Sequence, residues 1–186
     1  MSGFGSPRPL ESWFWSKGGM KMQKSYIENV AKDVRKRLIE VGLMDPDQKS
    51  FIFEQLDEIM LFFDGDLVMD KEQTTASFEK LSGDRFMVYY NPDSNYMCVL
   101  QELGRAFLHM DKMADYQKVV WGNNGQEDSD VELFARELMM PREEFEKVVI
   151  KYLDNGKFSA NGVAKEYGVD VFTVIARCDD LNISEE

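Results

Sequence analysis

The stretch Met97 to Met110, MCVLQELGRAFLHM, constrains this chain more than any other. Wound at about 3.6 residues per turn, it sets Leu100, Leu103, Gly104, Phe107 and Leu108 on one side and Gln101, Glu102, Arg105 and His109 on the other. A helix this apolar belongs in a core. Polar side chains carried into a core have to be paired, hydrated or bound, because leaving each unpaired costs roughly 1–3 kcal/mol. The polar edge is therefore where chemistry is to be sought.

With 186 residues, 44% of them hydrophobic, the chain can build one sizeable core, and residues 20–186 read as a single domain. Residues 1–19 mix Gly, Ser and Pro with Phe4, Trp13, Phe14 and Trp15 and show no helical period. They read as a flexible leader or an expression-derived segment, or more sharply as a Trp13–Trp15 cluster that docks on an apolar groove. A net charge of −12 and a pI near 4.6 argue against nucleic acid and anionic membrane as partners. Cys98 and Cys178 stand far apart in no metal-type spacing, and there is neither an apolar run of about 18–20 residues nor a signal-peptide pattern. A cytoplasmic setting is expected.

Along the chain, a helix is expected from Ser25 to Gly42, with Ile27, Val30, Ala31, Val34, Leu38 and Val41 inward and Lys32, Asp33, Arg35, Lys36 and Arg37 outward. A second helix carries Phe51, Leu56, Ile59, Met60 and Phe63 and ends at Asp64-Gly65. Asp66 to Tyr90 reads as strands joined by a Ser82-Gly83-Asp84 turn, forming a small antiparallel sheet. Asn91-Pro92-Asp93-Ser94 then stops the last strand and offers Asp93 or Ser94 as cap for the polar-edged helix. A weakly patterned loop runs from Met113 to about Asp128. The next helix, Ser129 to Met139, turns Val131, Phe134, Ala135 and Leu138 inward and Asp130 and Glu137 outward. Pro141 opens another helix, which runs to about Asn155-Gly156. The tail has a helix-turn-helix outline around Gly168-Val169, but Asp170, Thr173, Arg177 and Asp179 on its second helix carry too little positive charge for a phosphate backbone. It reads as core closure through Val163, Ala164, Tyr167, Val171, Val174 and Ile175. The expected class is α+β, mainly helical.

The segments YYNPDSNYMCVLQELGRAFLHM and DVELFARELMMP, in this order after a helix and a small sheet, resemble the ImmA/IrrE family of zinc-metallopeptidase-like proteins. The resemblance is sharpest at 91–109 and 134–141, and it implies a zincin-like domain. Family members carry HELGH on the central helix and an acid ahead of an FAAELLMP-like segment, and are associated with cleaving repressors and stress regulators of phages and mobile elements. In HELGH, two His at i and i+4 bind Zn²⁺ on one helix face while the Glu activates the metal-bound water.

On the positions of this chain, the resemblance places Gln101 and Arg105 at the two His and Glu102 at the general base. The third, acidic ligand matches Asp130, with Glu132 close by, and His109 matches a downstream His. An amide oxygen is a poor zinc ligand and a guanidinium has no lone pair to donate, so zinc, expected in the family, is not expected here. Arg105 would instead supply the positive charge that Glu102 and Asp130 need for burial. Cys98 has no base within reach and reads as an inert thiol. The expectation is a catalytically silent or impaired homologue, with a vestigial Glu102, that binds a protein partner of the repressor or regulator kind. The alternative is an active metal-dependent endopeptidase with Glu102, His109 and Asp130 as atypical ligands. A structural protein of a phage or mobile element is a third reading.

Overall fold

The apolar stripe at 97–110 forms helix α3, Met97–Leu108, in a computed structural model that describes residues 13–16, 19–120, 122, 125–154 and 157–183. Ahead of it come β1 (Trp13–Ser16), β2 (Gly19–Met22), α1 (Lys24–Glu40), α2 (Phe53–Phe62), β3 (Gly65–Met69), β4 (Ala76–Lys80) and β5 (Phe86–Tyr90). Behind it come a 3₁₀ turn (Met110–Lys112), β6 (Lys118–Val120), α4 (Gln126–Met139), α5 (Arg142–Lys151), β7 (Leu153–Asp154), β8 (Lys157–Phe158), α6 (Ala160–Tyr167) and α7 (Val171–Leu181). The class is α+β and mainly helical. Among the described residues no helix is long and apolar enough to cross a membrane. Residues 1–12, most of the segment read as a leader, lie outside the description, as does the docking expected of the Trp13–Trp15 side chains. The backbone of β1 pairs antiparallel with β2, so the boundary drawn at residue 19 falls inside a hairpin.

The sheet has the order β3-β5-β4-β6 and is mixed, whereas the sequence suggested antiparallel pairing throughout. β4 pairs antiparallel with both β5 and β6, but β3 runs parallel to β5, with Gly65 opposite Phe86. Two local features account for this. The Phe86 ring lies across Gly65, where an added Cβ would come within 2.4 Å of it, so only a residue without a side chain fits there. At the end of β3 the Asp70 amide donates to the Tyr90 carbonyl at 2.8 Å, while its carboxylate accepts from the Glu72 amide and the Gln73 side chain. This turn carries the chain past β5 before it returns as β4.

Alternation in β4 and β5 sends Phe78, Phe86 and Val88 to the α3 side, with Phe78 and Phe86 stacked at 5.4 Å. The opposite face of α3 packs on α4, and α1 lies along α4. The buried apolar side chains form one cluster from Met22 to Leu181. Neither Asp93 nor Ser94 caps α3. Asn95 accepts from the Met97 amide at 2.9 Å, while Ser94 donates to the Asn91 carbonyl.

Several charged residues expected outside are inside. Arg35 is buried and donates to the carbonyls of Leu138 (2.9 Å) and Pro46 (2.7 Å). Glu137 is buried against the fully buried Arg177, which also donates to the Met140 carbonyl at 2.8 Å. The last carbonyls of a helix lack intrahelical partners, and at the end of α4 two arginines from distant helices supply donors. Conversely, Val41 and Ile175, expected inside, are 49% and 43% exposed. The long loop expected after Met113 contains β6, and α4 begins at Gln126.

Gly104 sets the α3–α4 distance, since a Cβ there would lie 2.7 Å from Cδ1 of the buried Phe134 ring, which stacks on Phe107. Gly104→Ala is expected to destabilise the fold by about 1–3 kcal/mol, because neither helix can yield without disturbing that packing. Urea unfolding measures it, and an unchanged midpoint would count against a close helix crossing.

Candidate functional site

Glu102 and Arg105 stand one turn apart on the polar edge of α3, and both are 0% exposed. Arg105 Nε donates to Glu102 Oε2 at 2.8 Å, and its Nη2 donates to Asp128 Oδ1 at 2.7 Å. The other Asp128 oxygen accepts the backbone amide of Gly122 at 3.0 Å. Glu127 adds a more exposed carboxylate 3.7 Å from Nη1. Asp128 lies in the first turn of α4, where the helix dipole favours an anion. One guanidinium thus joins α3, the start of α4 and the loop after β6.

Burial pushes the Glu102 carboxyl up to about 7; Arg105 opposes the shift and the nearby Asp128 adds to it. Arg105 does not cancel the effect of burial, to which the Asp128 charge adds, and Glu102 Oε1 makes no hydrogen bond among the described residues. Burial acts to lower Arg105, yet Glu102 and Asp128 outweigh it and hold the guanidinium above the ordinary arginine value. It is a permanent cation. Burial also raises the Cys98 thiol to about 11, so it is not poised as a nucleophile.

The remaining candidates fall into different places. Asp130 was expected against Arg105 but belongs to a second pair. Its Oδ2 lies 3.7 Å from Nε2 of the buried His109, and its Oδ1 accepts from Gln126 at 2.9 Å. Glu132 is half-buried and lies 3.5 Å from Arg136 of its own helix, on neither pair. Gln101 is half-buried beside the network and is not part of it. The partner that sequence reasoning missed is Asp128. Its signal was present: the buried stripe Val131, Ala135, Leu138 extends back by three to position 128, but starting the helix at Ser129 cut it off.

The residues present do not fit a zinc ion. Gln101 and Arg105 present an amide and a guanidinium on the polar edge of α3, and the carboxylates nearest to the guanidinium are already engaged by it. Among the described residues no group of three or more His, Cys, Asp or Glu side chains is arranged to hold a metal, so Glu102, His109 and Asp130 do not converge as the atypical ligand set requires. What the arrangement does chemically is neutralise buried charge. Comparison with protein-family models, with curated proteins and with solved structures finds no match.

Arg105→Met should cost about 3–5 kcal/mol near neutral pH, because it strands two buried carboxylates without their cation. A loss below about 1 kcal/mol in denaturant unfolding would show that the network carries little. Glu102→Gln isolates the proton. A carboxyl raised from its ordinary 4.5 to about 7 binds more protons folded than unfolded in that window, so wild-type stability falls as pH rises through it. The variant cannot ionise there, and its stability relative to wild type should increase by about 1–3 kcal/mol between pH 4.5 and 7. A difference independent of pH would contradict the raised carboxyl.

Proposed function

We propose that this chain is a catalytically silent or impaired homologue of the ImmA/IrrE metallopeptidases that acts by binding a protein. Arg105 carries the reading, as a fully buried permanent cation bonded to Glu102 and Asp128 at the helix positions where that family holds a dication. A metal entering here would have to expel Arg105 and its three-element network. Glu102 keeps the general-base position, but its nearer oxygen is occupied by a guanidinium instead of facing a metal-bound water.

A peptidase performs two acts, selecting a protein segment and cleaving it, and only the second needs the metal. Removing the ligands leaves selection. The repressor or regulator class of the partner, and an origin in a phage or mobile element, follow from the resemblance at 91–109 and 134–141.

Elemental analysis of protein purified without chelator tests the reading. Zinc far below one equivalent is expected, together with no cleavage of reduced casein when zinc is supplied. The paired substitution Gln101→His and Arg105→His should confer zinc uptake if the rest of the site follows the family pattern. Tightly held stoichiometric zinc in the natural chain, or zinc-dependent cleavage by it, would falsify the proposal.

A further inference from the structure

Helix α2 turns Leu56, Ile59, Met60 and Phe63 into the core and leaves its opposite face exposed. At about 3.6 residues per turn, Glu54, Asp57, Glu58 and Leu61 fall on that face and Phe62 at its margin, with Leu61 and Phe62 57% and 39% exposed. The face carries one sign of charge. FEQLDEIMLF contains three acids and no base, and Asp64 adds a carboxylate just beyond its end. Among the described residues Glu54, Asp57, Glu58 and Asp64 make no ion pair and no side-chain hydrogen bond. The exposed face of α1, by contrast, mixes Lys32, Asp33, Lys36 and Glu40, and Lys36 lies 3.8 Å from Glu40. On α2 like charges stand at i,i+3 and i,i+4, where they repel, and an acid follows the end that the helix dipole makes negative. Their field reaches Tyr90, whose hydroxyl is raised by burial and further by Asp57 and Glu54. Arg37 of α1 borders the face only at its apolar end, with its guanidinium 5.9 Å from the Phe62 ring and 5.4 Å from that of Phe63.

From this we infer that the outer face of α2 receives a basic amphipathic segment of a partner protein, with an apolar side chain on Leu61 and Phe62 and Lys or Arg side chains on Glu54, Asp57 and Glu58. The inference deepens the protein-binding reading above and rests on it for the partner being a protein. Neighbouring acids on this helix stand about 5–6 Å apart, inside a Debye length of about 8–10 Å, so their attraction for a cation adds at the surface. The net charge of −12 steers such a segment inward from further out.

The test is fluorescence anisotropy of the full chain with three fluorescein-labelled peptides, LKKLLKKLLKKL, AKKAAKKAAKKA and LEELLEELLEEL. Saturable binding of the first is expected, weakening with salt, with the second about tenfold weaker for want of the apolar anchor and no binding of the third. Asp57→Asn with Glu58→Gln, two exposed changes that keep side-chain shape, should weaken the first peptide about threefold to tenfold, and Leu61→Ser should do the same. Glu143→Gln with Asp179→Asn removes equal charge from α5 and α7 and should leave the affinity within about twofold, which separates this face from attraction to the whole anionic chain. Circular dichroism verifies the fold of each variant. No saturable binding of LKKLLKKLLKKL, equal affinity for AKKAAKKAAKKA, equal weakening by the two double variants, or an affinity unmoved by Leu61→Ser each overturns the proposal. So does a dimer in sedimentation that Leu61→Ser dissociates, because a second copy would then be the occupant. None of these outcomes alters the zinc measurement, and zinc uptake by the natural chain would leave these affinities untouched, so the two proposals fail separately.

Discussion

A cation that cannot be neutralised, held where no water reaches it, is the condition the rest of this structure has to meet. Arg105 could not be buried alone, since the effective cost of removing an ion from water is several kcal/mol even after relaxation. It is tolerated because Glu102 and Asp128 accept from two faces of its fork at 2.8 and 2.7 Å. That requirement fixes the rotation of α3 about its axis and the start of α4, and the Asp128–Gly122 bond extends the constraint to the loop after β6. A dication and a guanidinium both answer buried carboxylates with positive charge, but a metal leaves coordination positions open for a reactant, whereas a guanidinium has none to offer.

Much of this architecture was legible from periodicity. The α3 stripe, the inward faces of α1 and α2, and the alternation in β5 all follow from apolar spacing, which is local information. The pairing of Glu102 with Arg105 was legible for the same reason, since the two lie one turn apart. The errors concern charged side chains whose partners are remote. Arg35, Glu137 and Arg177 sit where a hydropathy pattern would turn them outward, yet each reaches a buried partner, and Arg35 meets the Leu138 carbonyl across 103 positions of sequence. Long polar side chains can enter a core when a distant element supplies the bond, and no window of ten residues contains that fact.

The sheet gives a second instance. Three short strands with a tight turn look like a meander, and β4–β5 behaves as one. The parallel placement of β3 depends on how Gly65 meets the Phe86 ring and on the bond from Asp70 to Tyr90, tertiary contacts that local propensity does not encode. The tail shows the same logic in reverse. Its helix-turn-helix outline is real, with Gly168 in the left-handed conformation between α6 and α7, but α7 turns its one arginine into the core. That arginine is then unable to touch a phosphate.

The fastening of α4 bears on how the chain reaches this state. Its first turn is tied by Arg105 of α3, and its last carbonyls are held by Arg35 of α1 and Arg177 of α7, across 23, 103 and 37 positions. Each end takes a bond from a helix other than its own, so α4 gains its full set of bonds only after three other helices have arrived, and the closure entropy of those loops is spent beforehand. Unfastening any one helix frees a buried charge or a carbonyl on α4, which makes partial opening of this region costly compared with opening of the whole. The helix that carries Asp128 is thereby also the one whose bonds depend most on elements remote in sequence.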